Sequence, residues 1–187
     1  MKKMLLISAL AFLPVNAVIA ADYTVDPGHT YVSFAVSHLG FSTMRGKFNE
    51  QTGSLKFDPA AKQASVMIEI DASSIDTGHA KRDAHLQSPD FLNAVENPTI
   101  TFKSTAATWN GNKPATVTGD LTILGVSKPV TLTITAMKCG PNPFSKKETC
   151  GFDATGSVKR TDYGVNYGAP AIGETLDLQI EFEAVKN

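Results

Sequence analysis

Apolar and polar residues alternate with period two through most of the chain. The pattern is clearest near the C-terminus. There Leu176, Leu178, Ile180, Phe182 and Ala184 share one face, and Thr175, Asp177, Gln179, Glu181 and Glu183 share the other. Val66, Ile68 and Ile70 form a second apolar face, Val130, Leu132, Ile134 and Ala136 a third, Val32, Phe34 and Val36 a fourth, and Val117, Leu121 and Ile123 a fifth. Strands that are wet on one side belong in antiparallel sheets, because buried parallel strands read as unbroken apolar runs. Turn signals separate the runs: Asp26-Pro27-Gly28, Asp58-Pro59, Asn110-Gly111-Asn112, Leu124-Gly125 and Gly140-Pro141-Asn142-Pro143. Short strands punctuated in this way predict a sandwich or a barrel. Gly119 falls inside a run, where it marks a bulge or a close approach of the backbone.

One region breaks the alternation. From Gly78 to Gln87 the pattern favours a short helix, capped by Asp76 or Thr77. A second helical turn is expected after Ser88 and Pro89, with Phe91, Leu92 and Val95 supplying an apolar side before Asn97-Pro98 ends it. The expected architecture is therefore all-β with a helical excursion near residues 78–95. Alternation does not separate a packed core from a hollow one, and an eight-stranded barrel accommodates either. A last strand from Gly173 to Val185 is long enough for a barrel about 30 Å tall. Small residues such as Ala136 and Ala184 on inward faces lean toward a cavity.

The N-terminus changes the picture of where the chain works. Met1-Lys2-Lys3, an apolar stretch from Met4 to Leu13, and the small-residue segment up to Ala21 read as a secretory signal peptide over residues 1–20. The apolar run is too short for a membrane span, and Pro14 interrupts it. Residues 21–187 are then expected as one soluble periplasmic domain. The 17 basic residues less Lys2 and Lys3 leave 15 against 18 acidic ones. That balance gives no reason to expect nucleic acid or an anionic surface as partner. Cys139 and Cys150, the only cysteines, are expected to pair in an oxidising compartment; a redox-active pair would want CxxC spacing.

Candidate chemistry is densest in Asp76-Thr-Gly-His79-Ala-Lys-Arg82-Asp83-Ala-His85-Leu86. Three readings compete for it: structural capping and ion pairing, a polar rim around a ligand head group, and a metal site built on His79, Asp83 and His85. The metal match is weak, because His85 lies six residues from His79 and on a different helical face. His29 and His38 flank one strand, about 30 Å apart when extended, and cannot act as a pair. No GxSxG, GxGxxG or GxxxxGK[ST] occurs, which removes the commonest hydrolase and nucleotide sites. Phe34, Phe41, Phe48, Phe91, Phe102 and Phe182 suit either a core or a lipid tunnel.

Five motifs in order resemble the YceI-like family of periplasmic polyisoprenoid-binding proteins. They are Tyr23-Thr-Val-Asp26-Pro-Gly-His29-Thr-Tyr-Val-Ser-Phe34 with His38-Leu-Gly40; Asp76 through Asn93; Asn97-Pro98-Thr-Ile-Thr-Phe102-Lys-Ser104; Gly119-Asp120 through Val130; and Arg160-Thr-Asp162-Tyr163-Gly164. The resemblance implies an eight-stranded antiparallel, lipocalin-like barrel whose apolar tunnel binds a long-chain isoprenoid, such as a quinone, a quinone precursor or a polyprenyl lipid, for transport or storage. It implies no catalysis, no metal and no cofactor beyond that ligand. The expected ligand-binding residues are Phe34, His38, Phe41, His79, Arg82, Asp83, His85, Phe91, Phe102 and Phe182. Two alternatives remain beside it: a metal-assisted hydrolase using His79, Asp83 and His85, and an interaction module for a membrane redox protein. Both a monomer and a homodimer are compatible with the sequence.

Overall fold

The computed structural model describes residues 20–187. The expected leader therefore lies outside the described residues, Ala20 excepted. The strands are β1 (Ala21–Val25), β2 (Tyr31–His38), β3 (Ser42–Phe48), β4 (Gln51–Asp58), β5 (Gln63–Asp71), β6 (Ile75–Asp76), β7 (Thr99–Asn110), β8 (Lys113–Ile123), β9 (Val126–Pro141), β10 (Glu148–Lys159) and β11 (Thr175–Lys186), with one helix, α1 (Ala80–Gln87). All pairings are antiparallel, and β1 pairs with both β4 and β11, which closes the sheet.

The strands make an eight-staved up-and-down barrel, because three staves are each built from two segments. β1 and β2 lie end to end along β11, Val25 opposite Ala184 and Tyr31 opposite Glu181. Between them Pro27–His29 makes a 3₁₀ turn, capped by Asp26, whose carboxylate accepts from the Gly28 N–H. β3 runs on into β4 and β5 into β6, so β2 pairs with β3, β4 with β5, and β3 with β6. Closure removes every free edge from the main wall. The excursion between β6 and β7 carries α1 across one end.

Period-two alternation sorts the interior as expected along β11, β5, β8 and β2, and along β9 with one exception. Ala136 is exposed. Asp153 pairs with Ala136 and Ala154 with Ile134, so Thr135 is an unopposed bulge residue, and its hydroxyl donates to Asp153 O at 3.2 Å. The extra residue reverses the phase of the strand, and Met137 rather than Ala136 packs on the core. Gly119 lies opposite a second irregularity in β7, and a Cβ there would stand 2.5 Å from Phe102 Cζ. The glycine is what lets that ring lie flat on the inner wall.

The helix begins later than the capping pattern suggests. His79 is the N-cap, its Nδ1 accepting from the Arg82 N–H at 3.3 Å, while Asp76 caps the preceding turn through Gly78 N–H at 2.8 Å. The expected second helical turn is a set of reverse turns instead. Ser88 closes α1, its N–H and hydroxyl both donating to His85 O, and Asn93 takes a positive φ of 43°.

The end of the barrel opposite α1 is sealed by an aromatic cluster. Phe57 stacks on Trp109 at 5.9 Å between centroids and meets Phe152 edge-on at 5.5 Å, and Phe152 lies 5.9 Å from Phe182. Cys139 and Cys150 are cross-strand partners on β9 and β10, joined by a disulfide with Cα atoms 4.1 Å apart. Replacing both cysteines by alanine should lower the unfolding free energy by about 2–3 kcal/mol in reversible urea titrations, the worth of closing a short loop. An unchanged midpoint and slope would show that the ladder alone holds this hairpin.

Tyr23 anchors the same end, its hydroxyl donating to Glu148 Oε1 at 2.8 Å while Lys186 Nζ donates to Oε2 at 3.2 Å. Burial first, then the bond to and charge of Glu148, push the Tyr23 pKa up to about 12. An unfolded tyrosine ionises near 10, so the folded state keeps a proton that the unfolded chain gives up. This contribution is complete below pH ~10 and is lost as the pH rises toward ~12. Alkaline denaturation should therefore cost the wild type about 3 kcal/mol more than Tyr23→Phe across that window. Parallel stability curves for the two would refute the coupling.

Candidate functional site: a two-chambered apolar cavity

The inward side chains do not fill the barrel. A cavity of about 360 Å³ lies beneath α1, and a deeper one of about 140 Å³ lies above the aromatic seal. The two meet at a collar of Val32, Ile70, Leu121 and Leu178, which border both. Together they fall in the usual range for small-molecule sites, about 300–1,000 Å³. The deeper chamber is walled almost wholly by aliphatic and aromatic side chains. The one polar side chain among the described residues of its wall, Ser104, is occupied, its Oγ accepting from the Val66 N–H at 2.8 Å.

The chamber beneath α1 carries the polar groups. Arg82, His85, His38, Thr77, Arg160 and Tyr167 line it among apolar neighbours that include Phe34, Phe48 and Phe91. His38 ends the inward row Val32, Phe34, Val36 on β2, and its backbone bridges to Ile172. His85 Nε2 lies 3.0 Å from Asp90 Oδ2, and its ring stands edge-on to Phe91 and Tyr167 at 5.0 and 4.9 Å between centroids. The half-exposed His85 and Tyr167 mark where the chamber reaches the surface. Arg82 braces the excursion from within, Nε donating to Thr77 Oγ1 at 2.7 Å and Nη2 to Thr77 O at 2.8 Å.

The cluster singled out in the sequence divides into parts. Arg82 and His85 line the chamber, whereas His79 caps α1 and Asp83 turns to the backbone, one oxygen accepting from the Thr77 N–H at 2.9 Å and from the Thr77 hydroxyl. The ligand atoms of His79, Asp83 and His85 do not converge. Among the described residues, the trio whose ligand atoms lie within 4.8 Å of one another is Asp26, His29 and Glu183, on the outer side of the barrel. There Asp26 holds the His29 imidazole at 2.9 Å, which lowers the carboxyl pKa and raises that of the ring. Of the remaining residues, Phe34, His38 and Phe91 line the chamber under α1, and Phe102 and Phe182 line the deeper one. Phe41 is 89% exposed at the β2–β3 turn and touches neither.

Arg160 is a site residue that residue-type reasoning passed over. It is only 4% exposed, at the end of β10, and its guanidinium donates to three carbonyls of the segment before β11: Val165 O at 2.7 Å, Gly173 O at 2.8 Å and Ile172 O at 2.9 Å. Burial lowers its pKa, against the opposing charge of Glu174. An arginine nevertheless stays protonated throughout the physiological range. The signal that could have found it is the position of Arg160-Thr-Asp162-Tyr163-Gly164 immediately after a long alternating run, where a charged residue in a strand-end turn has buried carbonyls within reach.

A closed antiparallel barrel with an apolar interior and polar groups gathered under a helical cap defines a lipocalin-like architecture. The chain belongs to the YceI-like family, whose YceI-like domain matches residues 23–184. It is 39% identical to a UPF0312 protein of Pseudomonas savastanoi pv. phaseolicola over 191 aligned positions, covering 100% of this chain and 98% of the relative. It is also 39% identical to Protein YceI of Escherichia coli O157:H7, covering 100% and 99%. Among solved structures it resembles Burkholderia cenocepacia BcnA, with 26% identity, a TM-score of 0.73 and coverage of 85% of this chain and 98% of that one. A polyisoprenoid binding domain from Saccharophagus degradans shares the fold at 13% identity, with a TM-score of 0.64 and coverage of 90% and 99%.

Proposed function

We propose that this chain binds a long-chain isoprenoid in the two-chambered cavity and carries or stores it in the periplasm, acting through binding and not through catalysis. The observation that carries the reading is the continuity of the apolar wall from the collar to the aromatic seal. A head group sits among the polar side chains under α1, and the prenyl tail passes the collar into the deeper chamber. Membership of the YceI-like family supports this, as does the shared fold of a domain described as polyisoprenoid-binding.

Energetics favour a carrier over a permanent sink. At about 0.8 kcal/mol per buried methylene, a 40-carbon tail would exceed the ceiling of known affinities if water were the competitor. The competitor is a bilayer, which solvates the tail as well as the barrel does, so net affinity is modest and exchange is possible. The leader pattern and the paired cysteines favour an oxidising, extracytoplasmic compartment.

Trp109, the single tryptophan, reports on occupancy, because it stacks on Phe57 in the wall of the deeper chamber. Titration with a polyprenol should change its emission saturably, at one ligand per chain. A flat response, with no ligand retained after gel filtration, would overturn the reading.

A further inference from the structure

The lining of the cavity has a charge asymmetry that bears on the ligand's head group. The chamber under α1 is lined by Arg82, Arg160, His38 and His85, and Arg45 borders it from the outer face of β3, yet among the described residues no aspartate or glutamate contributes to its wall. Among the described residues, none that lines the deeper chamber is charged. The nearby carboxylates have partners: Asp83 is held by Thr77, Asp90 by Nε2 of His85 at 3.0 Å, and Glu174 by Lys159 Nζ at 2.7 Å. Among the described residues, neither Arg82 nor Arg160 forms an ion pair with a carboxylate.

A guanidinium has five N–H donors. Arg160 directs three of its hydrogen bonds at backbone carbonyls, and Arg82 directs two at Thr77. Both therefore keep donors in reserve, and Arg160 keeps a full positive charge in a site that is 96% shielded from solvent, given its 4% exposure. Carbonyl dipoles soften the cost of such a charge without neutralising it. Glu174 is the opposing charge felt by Arg160, but it is held by Lys159, and an anion in the chamber would supply a counter-charge within the wall itself.

We infer that the cavity selects amphiphiles with an anionic head, a carboxylate or a phosphate, seated among Arg82, Arg160, His38 and His85, over neutral amphiphiles of the same chain. The inference rests on the lipid-binding reading above and adds the charge of the head group to it. Because the deep chamber offers nothing to a charge, the acid end stays under α1 and the chain enters tail-first. A neutral carbonyl or hydroxyl head could accept hydrogen bonds from the same donors, but it would bring no charge of its own to the arginines. Charge-assisted hydrogen bonds are about twice as strong as neutral ones, which puts the acid at an advantage of about tenfold or more in affinity.

The test compares matched pairs on the purified protein by Trp109 emission and calorimetry: geranylgeranyl phosphate against geranylgeraniol, and palmitoleate against its methyl ester. The acid of at least one pair should bind about tenfold more tightly, and the pair that shows the difference identifies the group as phosphate or carboxylate. In Arg82→Gln the acid should lose more affinity than its neutral partner, so that its advantage shrinks, whereas a merely structural role of Arg82 would weaken both members of a pair alike. Should that variant fail to fold, the wild-type pairs decide the matter alone. Equal affinities within both pairs would overturn the inference and leave lipid binding intact, whereas failure of all four ligands to bind would overturn both.

Discussion

Leu178→Trp is expected to empty the protein of long-chain lipid while leaving the barrel folded. Leu178 lies on β11 between Phe34 of β2 and Gly156 of β10, and it borders both chambers. An indole at that position enters the existing void at the collar and divides the 360 Å³ chamber from the 140 Å³ one. Overpacking a filled core costs about 1–3 kcal/mol, but here the added atoms meet space and not neighbours. The melting temperature of the ligand-free protein should therefore change by no more than about 3 °C. Lipid extracted per mole of protein should fall by more than tenfold for chains long enough to need both chambers. A variant that keeps the wild-type load of the same chain length would show that the tail does not pass the collar.

The second large effect is on stability. Arg160→Met removes the donor that three buried or half-buried carbonyls share, those of Val165, Ile172 and Gly173. Each carbonyl left without a partner costs about 1–3 kcal/mol, with some recovery where water reaches it, so a loss of about 3–5 kcal/mol is expected. For a chain of this size that corresponds to a fall of about 10 °C in melting temperature. Hydrogen exchange should locate the damage, with amides of residues 165–173 losing protection first. Arg160→Lys keeps the charge, but a single ammonium does not span three carbonyls, and only part of the loss should return. If Arg160→Met melts within about 2 °C of the wild type, the three hydrogen bonds do not hold this segment.

Much of the barrel was legible in the sequence because a half-buried strand writes its orientation into every second residue. The rows on β11, β5 and β8 are of this kind, and the inward or outward sense of each residue there follows from its neighbours alone. The exceptions share a cause. The Thr135 bulge, the break that divides β3 from β4, and the late start of α1 at His79 depend on which strand or turn lies opposite. That information is tertiary. Local alternation alone places Ala136 inward, because it has no means of registering an extra residue that only Asp153 and Ala154 reveal.

The site was less legible than the wall. Periodicity is identical for a packed and a hollow barrel, since both need an apolar inner face, and the difference lies in whether rings such as Phe34 and Phe102 fold against the wall. They do so over Gly46 and Gly119, where a Cβ would stand 2.5 Å from the ring in each case. Residue type drew attention to His79 and Asp83, whose side chains serve the local backbone. It missed Tyr167 and Arg160, which reach the chamber from loop and strand-end positions with no periodic signature. Phe41 illustrates the converse: an aromatic in a turn carries no information about direction, and this one points to solvent.

Whether the cavity holds a long-chain isoprenoid is decided most directly by extraction. Protein purified from its native compartment without detergent should be extracted with organic solvent, and the extract analysed by mass spectrometry against the protein amount. A prenyl-chain lipid is expected at close to one per chain in the wild type, and its loss is expected in Leu178→Trp. Repeated extracts of gently purified wild type that contain no stoichiometric lipid, or the same lipid in equal amount from both proteins, would contradict it.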